Sequence, residues 1–223
     1  MAKPPYNLIF MTETRRPLKT RSTKWAGLVA TWCHRAGLTP NTISCLSCLF
    51  ASIAGISLWQ SGHVTGSTYV ILMLTSAAGI QLRLLCNMID GMVAVEGGLK
   101  TKTGDLFNEV PDRISDTIIF VGAAYSSTFP HLLELGWGAA VLAILTAYVR
   151  AMGATMGVGQ MFHGPMAKPH RMATLTIACL LSTTTSVLPQ MAYIIPTALI
   201  VICVGSVATT IRRLSAITNK LQP

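Results

Sequence analysis

The sequence is poor in charge, and poorest in negative charge. Only 11% of its 223 residues are Asp, Glu, Lys or Arg, whereas 51% are hydrophobic and the mean hydropathy is +0.53. A soluble domain of this length could not hide so many apolar side chains in one core. The composition therefore excludes an ordinary soluble protein and predicts an integral membrane protein.

Two long stretches, 36–82 and 172–211, contain no Asp, Glu, Lys or Arg. Each is long enough for two crossings of about 20 residues. Turn residues divide them at 61–66 (SGHVTG) and 188–190 (LPQ), and a third apolar stretch, 114–149, is divided at 129–136 (FPHLLELG). These divisions predict an all-α integral membrane protein with six transmembrane helices.

Lys and Arg residues occur at only one side of this predicted arrangement. They precede the first span, follow the last, and lie between spans two and three and between spans four and five, whereas the opposite connections carry only His63, His131 and Glu134 as ionisable groups. Because Lys and Arg accumulate in cytoplasmic loops, we expect both termini to be cytoplasmic. The formal net charge of +9 is then explained by topology and anionic lipid, and no nucleic-acid partner is expected.

The segment 17–37 predicts an amphipathic helix that precedes the first span. Trp25, Leu28, Val29 and Trp32 recur there at helical spacing among basic residues, as in a helix that lies in the membrane interface. A polar cytosolic helix is the alternative. The first thirty-five residues are basic without a continuous apolar run, so no signal peptide is expected. The predicted division is a basic segment with the amphipathic helix (1–36), a six-span domain (37–212) and a cytoplasmic tail (213–223).

Six cysteines are present, but their pattern does not indicate a zinc or redox site. Cys45 and Cys48 have C-x-x-C spacing inside an apolar span, and no second pair or His cluster accompanies them. Small buried hydrophobic side chains are the better interpretation.

The few acidic residues are concentrated: six of the eight lie between Asp90 and Asp116. Arg83, Asn87, Asp90 and Ala94 are spaced by four, three and four, so they share one face of the second span. If the third span is helical from residue 104, a second polar face forms within an arc of about 140°. It comprises Gly104, Asp105, Asn108, Glu109, Asp112 and Asp116.

Carboxylates gathered beside a bilayer require a cation or a partner. Hard oxygen ligands with room for water and phosphate suit Mg²⁺, Mn²⁺ or Ca²⁺. The alternative is that the acids only stabilise the start of the third helix and pair with Lys100, Lys102 and Arg113, with Asn108 as an N-cap.

The spacing of this region is specific. It reads Asn87-x-x-Asp90-Gly91-x-x-Ala94-Val95, eight residues, then Gly104-x-x-x-Asn108-x-x-x-Asp112. It resembles the hallmark of the CDP-alcohol phosphotransferase family, D-x-x-D-G-x-x-A-R, eight residues, G-x-x-x-D-x-x-x-D. The segment GLTPNTIS (37–44), the amphipathic N-terminal helix and the six-span count extend the resemblance over most of the chain.

The resemblance implies a transferase of phospholipid biosynthesis with its active site at the cytoplasmic face, in the inner membrane if the source is bacterial. Such enzymes move a phosphatidyl or substituted phosphoryl group from CDP-diacylglycerol or another CDP-alcohol to an alcohol or phosphoalcohol, and release CMP. Asn87, Asp90, Asn108 and Asp112 would occupy the ligand positions for Mg²⁺ or Mn²⁺, and Asp112 would also be the base. Gly91, Ala94 and Gly104 would shape the nucleotide pocket, and a homodimer is expected.

The departures from the family pattern are Asn87, Asn108 and Val95. Two carboxylates balance one divalent ion rather than two, so a weaker or single-metal site is expected. Asp105, Glu109 and Asp116 are possible replacement ligands, and a register through Asn108, Asp112 and Asp116 would need four extra residues. The alternative function is an inactive relative that binds or moves CDP-lipid.

Basic residues next to the later spans are candidates for phosphate contacts. Arg150, Lys168 and Arg171 would touch the diphosphate or the acceptor, and positive-inside anchoring is the alternative for the latter two. Arg83 could reach the Asp90 side or extend to the interface. Pro111 cannot donate to the Phe107 carbonyl, so it should begin or kink the third span.

Overall fold

The computed structural model describes residues 23–96, 103–185 and 192–222, and these ranges form seven α-helices. The helices are α1 (Lys24–Arg35), α2 (Pro40–Ser61), α3 (Gly66–Glu96), α4 (Gly104–Ala124), α5 (Leu132–Thr155), α6 (Lys168–Ser182) and α7 (Ile194–Leu221).

Local sequence explains where several helices begin and end. Thr39 caps α2 because its side chain accepts a hydrogen bond from the Thr42 N–H, and Pro40 occupies the first turn, where it costs no hydrogen bond. The turn predicted at 61–66 is confirmed, with Gly66 in the left-handed region at φ 67°. The turn predicted at 129–136 lies earlier, since the apolar residues from Leu132 onward already belong to α5. The division predicted at 188–190 lies outside the described residues.

Four helices in the described ranges are long and apolar enough to cross a membrane: α2, α3, α5 and α7. The prediction of an all-α, multi-pass membrane protein is confirmed at this level. The first half of α4 carries the acidic cluster, and α6 has only 15 residues, so neither qualifies by length and composition. The count of six spans stays a prediction.

The predicted amphipathic helix is present as α1, and residues 17–22 lie outside the described part. Ala26, Ala30 and Cys33 are buried against α3. The large apolar side chains of the other face are exposed: Trp25, Leu28 and Trp32. An exposed Trp-rich face on a basic helix favours the interfacial interpretation over a polar cytosolic helix.

Consecutive helices from α2 to α7 alternate in direction, so one end of the bundle gathers the start of α2, α4 and α6 and the end of α3, α5 and α7. Hydrogen bonds at this end of the bundle join Ser44 to Asp90, Asn87 to Asn108 and Lys220 to the Val158 carbonyl. At about 1.5 Å per residue, the 31 residues of α3 span about 46 Å, more than the roughly 30 Å hydrocarbon core. The helix is therefore long enough for its polar C-terminal turns to reach the interface.

Close packing in the middle of the bundle depends on glycine. A Cβ added to Gly122 of α4 would lie 2.2 Å from the carbonyl oxygen of Gly55, and a Cβ on Gly55 would lie 2.6 Å from the Ile118 oxygen. Because these contacts are to backbone atoms, they cannot be relieved by a side-chain rotation. The two glycines therefore set the distance between α2 and α4.

Gly122→Ala should destabilise the protein by about 1–3 kcal/mol, because the new methyl group forces α2 and α4 apart. The matched control is Gly138→Ala in α5, where an added Cβ has only Cys203 Sγ within range, at 3.9 Å. Thermal unfolding in detergent should show a lower Tm for the first variant and an equal or higher Tm for the second. Equal Tm values for both variants would contradict this packing.

Candidate active site

The polar faces predicted on the second and third spans lie against each other in α3 and α4. The Asn87 Nδ2 donates to Asn108 Oδ1 at 3.0 Å. Asn108 is not an N-cap, since α4 begins at Gly104 with Thr103 before it. The local geometry thus brings together Asn87 and Asn108, the two positions at which the sequence departs from the acidic pattern that it resembles.

Asp90 lies one turn after Asn87 and is 3% exposed. Its Oδ2 accepts a hydrogen bond from Ser44 Oγ of α2 at 2.7 Å. Its Oδ1 is buried and makes no hydrogen bond of normal geometry to a described residue, although the Gly91 N–H lies close enough to stabilise the carboxylate. A buried carboxylate oxygen without a hydrogen bond of normal geometry is only partly stabilised, so this oxygen is a candidate ligand for a cation.

Asp112 has cationic partners at both oxygens. Arg83 Nη2 donates to Oδ1 at 3.1 Å, and the Lys168 ammonium donates to Oδ2. The same ammonium donates to Asn87 Oδ1. Arg113 lies 3.6 Å from Oδ2. Lys168 therefore links α6 to the motif residues of both α3 and α4.

Asp116 lies one turn further along α4 and is 1% exposed. Arg83 Nη2 donates to its Oδ1 at 2.7 Å, and Arg171 Nη2 donates to its Oδ2 at 3.1 Å. With both oxygens taken by buried arginines, Asp116 acts as a structural link between α3, α4 and α6. It is poorly placed to serve as a replacement metal ligand.

Two arginines have environments that the sequence did not indicate. Arg83 reaches neither Asp90 nor the interface, because it is fully buried and bound to Asp112 and Asp116. Arg171 is 2% exposed and donates to Asp116, the Thr146 hydroxyl and the Met166 carbonyl. Its expected phosphate contact is therefore replaced by a structural one in this arrangement.

A second, more exposed group of charges lies beside this cluster. Arg150 donates to Glu109 and its guanidinium stands 5.7 Å from the centre of the Phe162 ring. Arg113 lies 3.7 Å from the other oxygen of Glu109. Glu109 thus has two cationic neighbours, and its side chain lies at the exposed edge of the charge cluster. The predicted partners Lys100 and Lys102 lie outside the described residues, and the Asp105 side chain is not described.

The three small motif residues lie on the same two helices. Gly91 is buried, and Ala94 and Gly104 are partly exposed. Pro111 does not begin α4, since the helix continues on both sides of it, and a kink at this position stays a prediction. Its own carbonyl accepts a weak hydrogen bond from the Cys48 thiol at 3.6 Å.

Three residues that sequence reasoning missed support the site. Ser44 holds Asp90, Thr146 holds Arg171, and Arg213 of α7 donates to the Thr146 and His163 carbonyls. Ser44 lies within the segment 37–44, which supplied a family resemblance but no role. Hydroxyl partners and backbone carbonyls carry no spacing signal, so tertiary structure was needed to find them.

Charge balance limits what the site can bind. Counted without the neighbouring Glu109, Arg113 and Arg150, the inner group contains three carboxylates (Asp90, Asp112, Asp116) and three cations (Arg83, Lys168, Arg171), so its formal charges sum to zero. Within the described residues, no three His, Cys, Asp or Glu side chains are grouped to hold a metal. The carboxylates of Asp90 and Asp112 and the amide oxygens of Asn87 and Asn108 are hard oxygen donors, the ligand type that a divalent ion such as Mg²⁺ or Mn²⁺ prefers.

Fold and site together define a multi-pass helical membrane protein with a polar, charge-paired centre at one end of the bundle. No protein-family model matches the chain. It is 24% identical over 193 residues to the phosphatidylinositol phosphate synthase of Mycobacteroides abscessus, and 26% identical over 189 residues to that of Mycolicibacterium smegmatis. Each match covers 82% of this chain and 79% of the relative.

The fold is shared with solved structures of Mycobacterium tuberculosis phosphatidylinositol phosphate synthase (PgsA1). The form with CDP-DAG bound superposes with a TM-score of 0.71 at 21% identity, and covers 87% of this chain and 94% of that one. The complex with manganese and citrate gives 0.71 at 22% identity, covering 86% and 88%. These relatives confirm the predicted resemblance to the CDP-alcohol phosphotransferase family.

Arg83→Met should lower stability by about 3–5 kcal/mol, because Asp112 and Asp116 each lose a buried cationic partner. Thermal unfolding in detergent should show a large fall in Tm. Arg113→Met removes the same charge from a half-buried side chain with longer contacts and should cost no more than about 1 kcal/mol.

The double variant Arg83→Met with Asp116→Asn should lose less stability than the sum of the losses of the two single variants, because both single variants remove the same Arg83–Asp116 contact. A Tm for Arg83→Met equal to that of Arg113→Met would show that the buried pair is not the stabilising contact.

Proposed function

We propose that this protein is a divalent-metal-dependent phosphatidyltransferase that moves a phosphatidyl group from CDP-diacylglycerol to an alcohol, with release of CMP. The observation that carries the proposal is that Asn87 and Asn108 are hydrogen-bonded to each other, that Lys168 joins Asn87 to Asp112, and that Asp90 lies one turn from Asn87 at the same end of the bundle. The related synthases and the CDP-DAG complex of the shared fold support it.

The reaction is a single displacement at phosphorus. The acceptor hydroxyl gives its proton to Asp112 Oδ2, and its oxygen forms a bond to the phosphorus that bears the diacylglycerol. The bond from this phosphorus to the bridging oxygen breaks, and that oxygen leaves on CMP. Because Lys168 donates to Oδ2, the ammonium must move aside before Asp112 can accept the proton.

One Mg²⁺ or Mn²⁺ held by Asp90 and Asp112, with Asn87 and Asn108 supplying neutral oxygens, would neutralise the diphosphate of the donor. Gly91, Ala94 and Gly104 let the nucleotide approach the helices. Lys168 and Arg150 can reach anionic groups because both side chains are partly exposed. Arg171 contributes by positioning Asp116.

The proposal includes the finer features expected from the sequence. The chain would have six spans within 37–212, preceded by the basic segment 1–36 and followed by the tail 213–223. Both termini and the active site would face the cytoplasm, in the inner membrane if the source is bacterial, and the protein would act as a homodimer in contact with membrane lipids. The names of the relatives make inositol phosphate the first phosphoalcohol to test.

A catalytically inactive relative that binds or moves CDP-lipid is the second candidate function. The neutral charge sum of the inner group favours it, since the site is electrically satisfied by its own side chains. Binding of CDP-lipid without release of CMP would select this function.

Purified protein in liposomes with CDP-diacylglycerol should release CMP when an alcohol acceptor and Mg²⁺ or Mn²⁺ are present, and chelator should stop the release.

Asp112→Asn should lower turnover at least about 100-fold, because the neutral amide cannot take the acceptor proton. The control Glu134→Gln, at the opposite end of the bundle and exposed, should retain turnover. Full turnover by folded Asp112→Asn would remove Asp112 from the base role.

Asn87→Asp combined with Asn108→Asp should tighten Mn²⁺ binding at least about tenfold, because two neutral ligands become carboxylates. The control Asn219→Asp with Gln222→Glu adds the same charge at exposed positions near the end of α7. Isothermal titration should separate the two effects. Equal Mn²⁺ affinity in the two double variants would argue against Asn87 and Asn108 as ligand positions.

A further inference from the structure

The Lys168 ammonium lies where two of the proposed metal ligands converge. It donates at once to Asn87 Oδ1 and Asp112 Oδ2, which belong to different helices. A divalent ion that used these oxygens would have to share or take the position of the ammonium. The contacts of Lys168 thus overlap with the proposed site rather than flank it.

The placement of Lys168 is unfavourable for α6 itself. It is the first residue of the helix, where the backbone dipole disfavours a positive charge, and no acidic residue follows in the first turn. The N-cap residue Ala167 offers no side-chain hydrogen bond. Helix stability therefore does not explain a cation here, whereas its contacts with Asp112 and Asn87 do.

Lys168 is also the cation of the inner group best able to move. Its side chain is 18% exposed, whereas those of Arg83 and Arg171 are 0% and 2% exposed. A lysine ammonium on a four-carbon stem makes compact, re-orientable contacts, unlike the rigid fork of an arginine. Arg83 would keep Asp112 Oδ1 paired while Lys168 leaves Oδ2.

The formal charges of the site predict when the Lys168 ammonium should move. The inner group sums to zero, so a divalent ion alone would leave two uncompensated positive charges in a partly buried site. A donor diphosphate brings two negative charges and restores the balance. The ion and the diphosphate should then bind together more tightly than either binds alone.

We propose that Lys168 is a built-in cation of this site, which holds the Asn87 and Asp112 oxygens in the free protein and yields them to a divalent ion when a nucleoside diphosphate arrives to take the ammonium. The inference rests on the proposed function, since it assumes a CDP-activated donor. The inference also accounts for the neutral amides of Asn87 and Asn108. Lys168 already supplies part of the positive charge that metal ions would otherwise supply, so fewer carboxylates are needed.

The test measures Mn²⁺ binding by the loss of the free-ion EPR signal, in purified full-length protein with and without CDP, after correction for Mn²⁺ held by CDP alone. Wild type should bind Mn²⁺ weakly by itself and about tenfold or more tightly with CDP. By reciprocity, Mn²⁺ should raise CDP affinity by the same factor. Equal Mn²⁺ affinity with and without CDP would overturn the proposal without any variant.

Lys168→Met should bind Mn²⁺ without CDP about tenfold or more tightly than wild type and gain less from CDP. Lys168→Arg retains the charge but not the re-orientable ammonium, so it should bind Mn²⁺ without CDP as weakly as wild type and gain less from CDP. Lys220→Met removes the same charge from an exposed site that contacts only the Val158 carbonyl, and should also behave as wild type. Folded Lys168→Met with wild-type Mn²⁺ affinity would overturn the proposal.

Failure of the transferase proposal gives a different result. Coupled binding of Mn²⁺ and CDP without CMP release from CDP-diacylglycerol would support the role of Lys168 and refute catalysis. CMP release with uncoupled binding would support catalysis and refute the role of Lys168.

Discussion

The buried carboxylate of Asp116, held between Arg83 and Arg171, is the contact on which the site depends. It joins α3, α4 and α6 through side chains that are 2% exposed or less. In a low-dielectric interior, each of these charges would be strongly unfavourable without its partners. The three helices must therefore keep the register that pairs them. That register places Asp112, one turn before Asp116, against Lys168, and Asn108, a further turn back, against Asn87.

Backbone proximity makes this pairing possible. Apolar surface gives little preference for helix association inside a lipid bilayer, so close helix contacts depend on small residues and polar links. Gly55 and Gly122 let α2 and α4 approach to backbone contact. Ser44 on α2 then reaches Asp90 on α3, and Cys48 reaches the Pro111 carbonyl on α4. Packing in the apolar half and charge pairing in the polar half thus specify the same arrangement.

The helical parts and the polar faces could be predicted because they follow from local periodicity. Spacing of three and four residues placed Asn87 with Asp90 and Asn108 with Asp112, and the structure brings those faces together. The partner of each charge could not be predicted in the same way. Arg83 and Arg171 are separated from Asp116 by 33 and 55 residues, and nothing in their neighbourhood distinguishes a buried ion pair from a phosphate contact. The start of α5 was misplaced because Phe129 and Pro130 indicated a turn, while the residues from Leu132 suit a helix equally well.

The neutral side chains of Asn87 and Asn108 and the ammonium of Lys168 together determine the formal charge of the site. With Lys168 counted in both cases, aspartates at 87 and 108 would give the inner group a formal charge of −2, which a divalent ion balances, whereas asparagines there give zero. Replacing Lys168 alone would leave −1, and adding the ion alone would leave +2. Only the combined arrival of a divalent cation and a diphosphate returns the present site to neutrality. A protein of this design would hold its metal as part of the donor complex, and its electrostatics would favour occupation of the site when substrate is present.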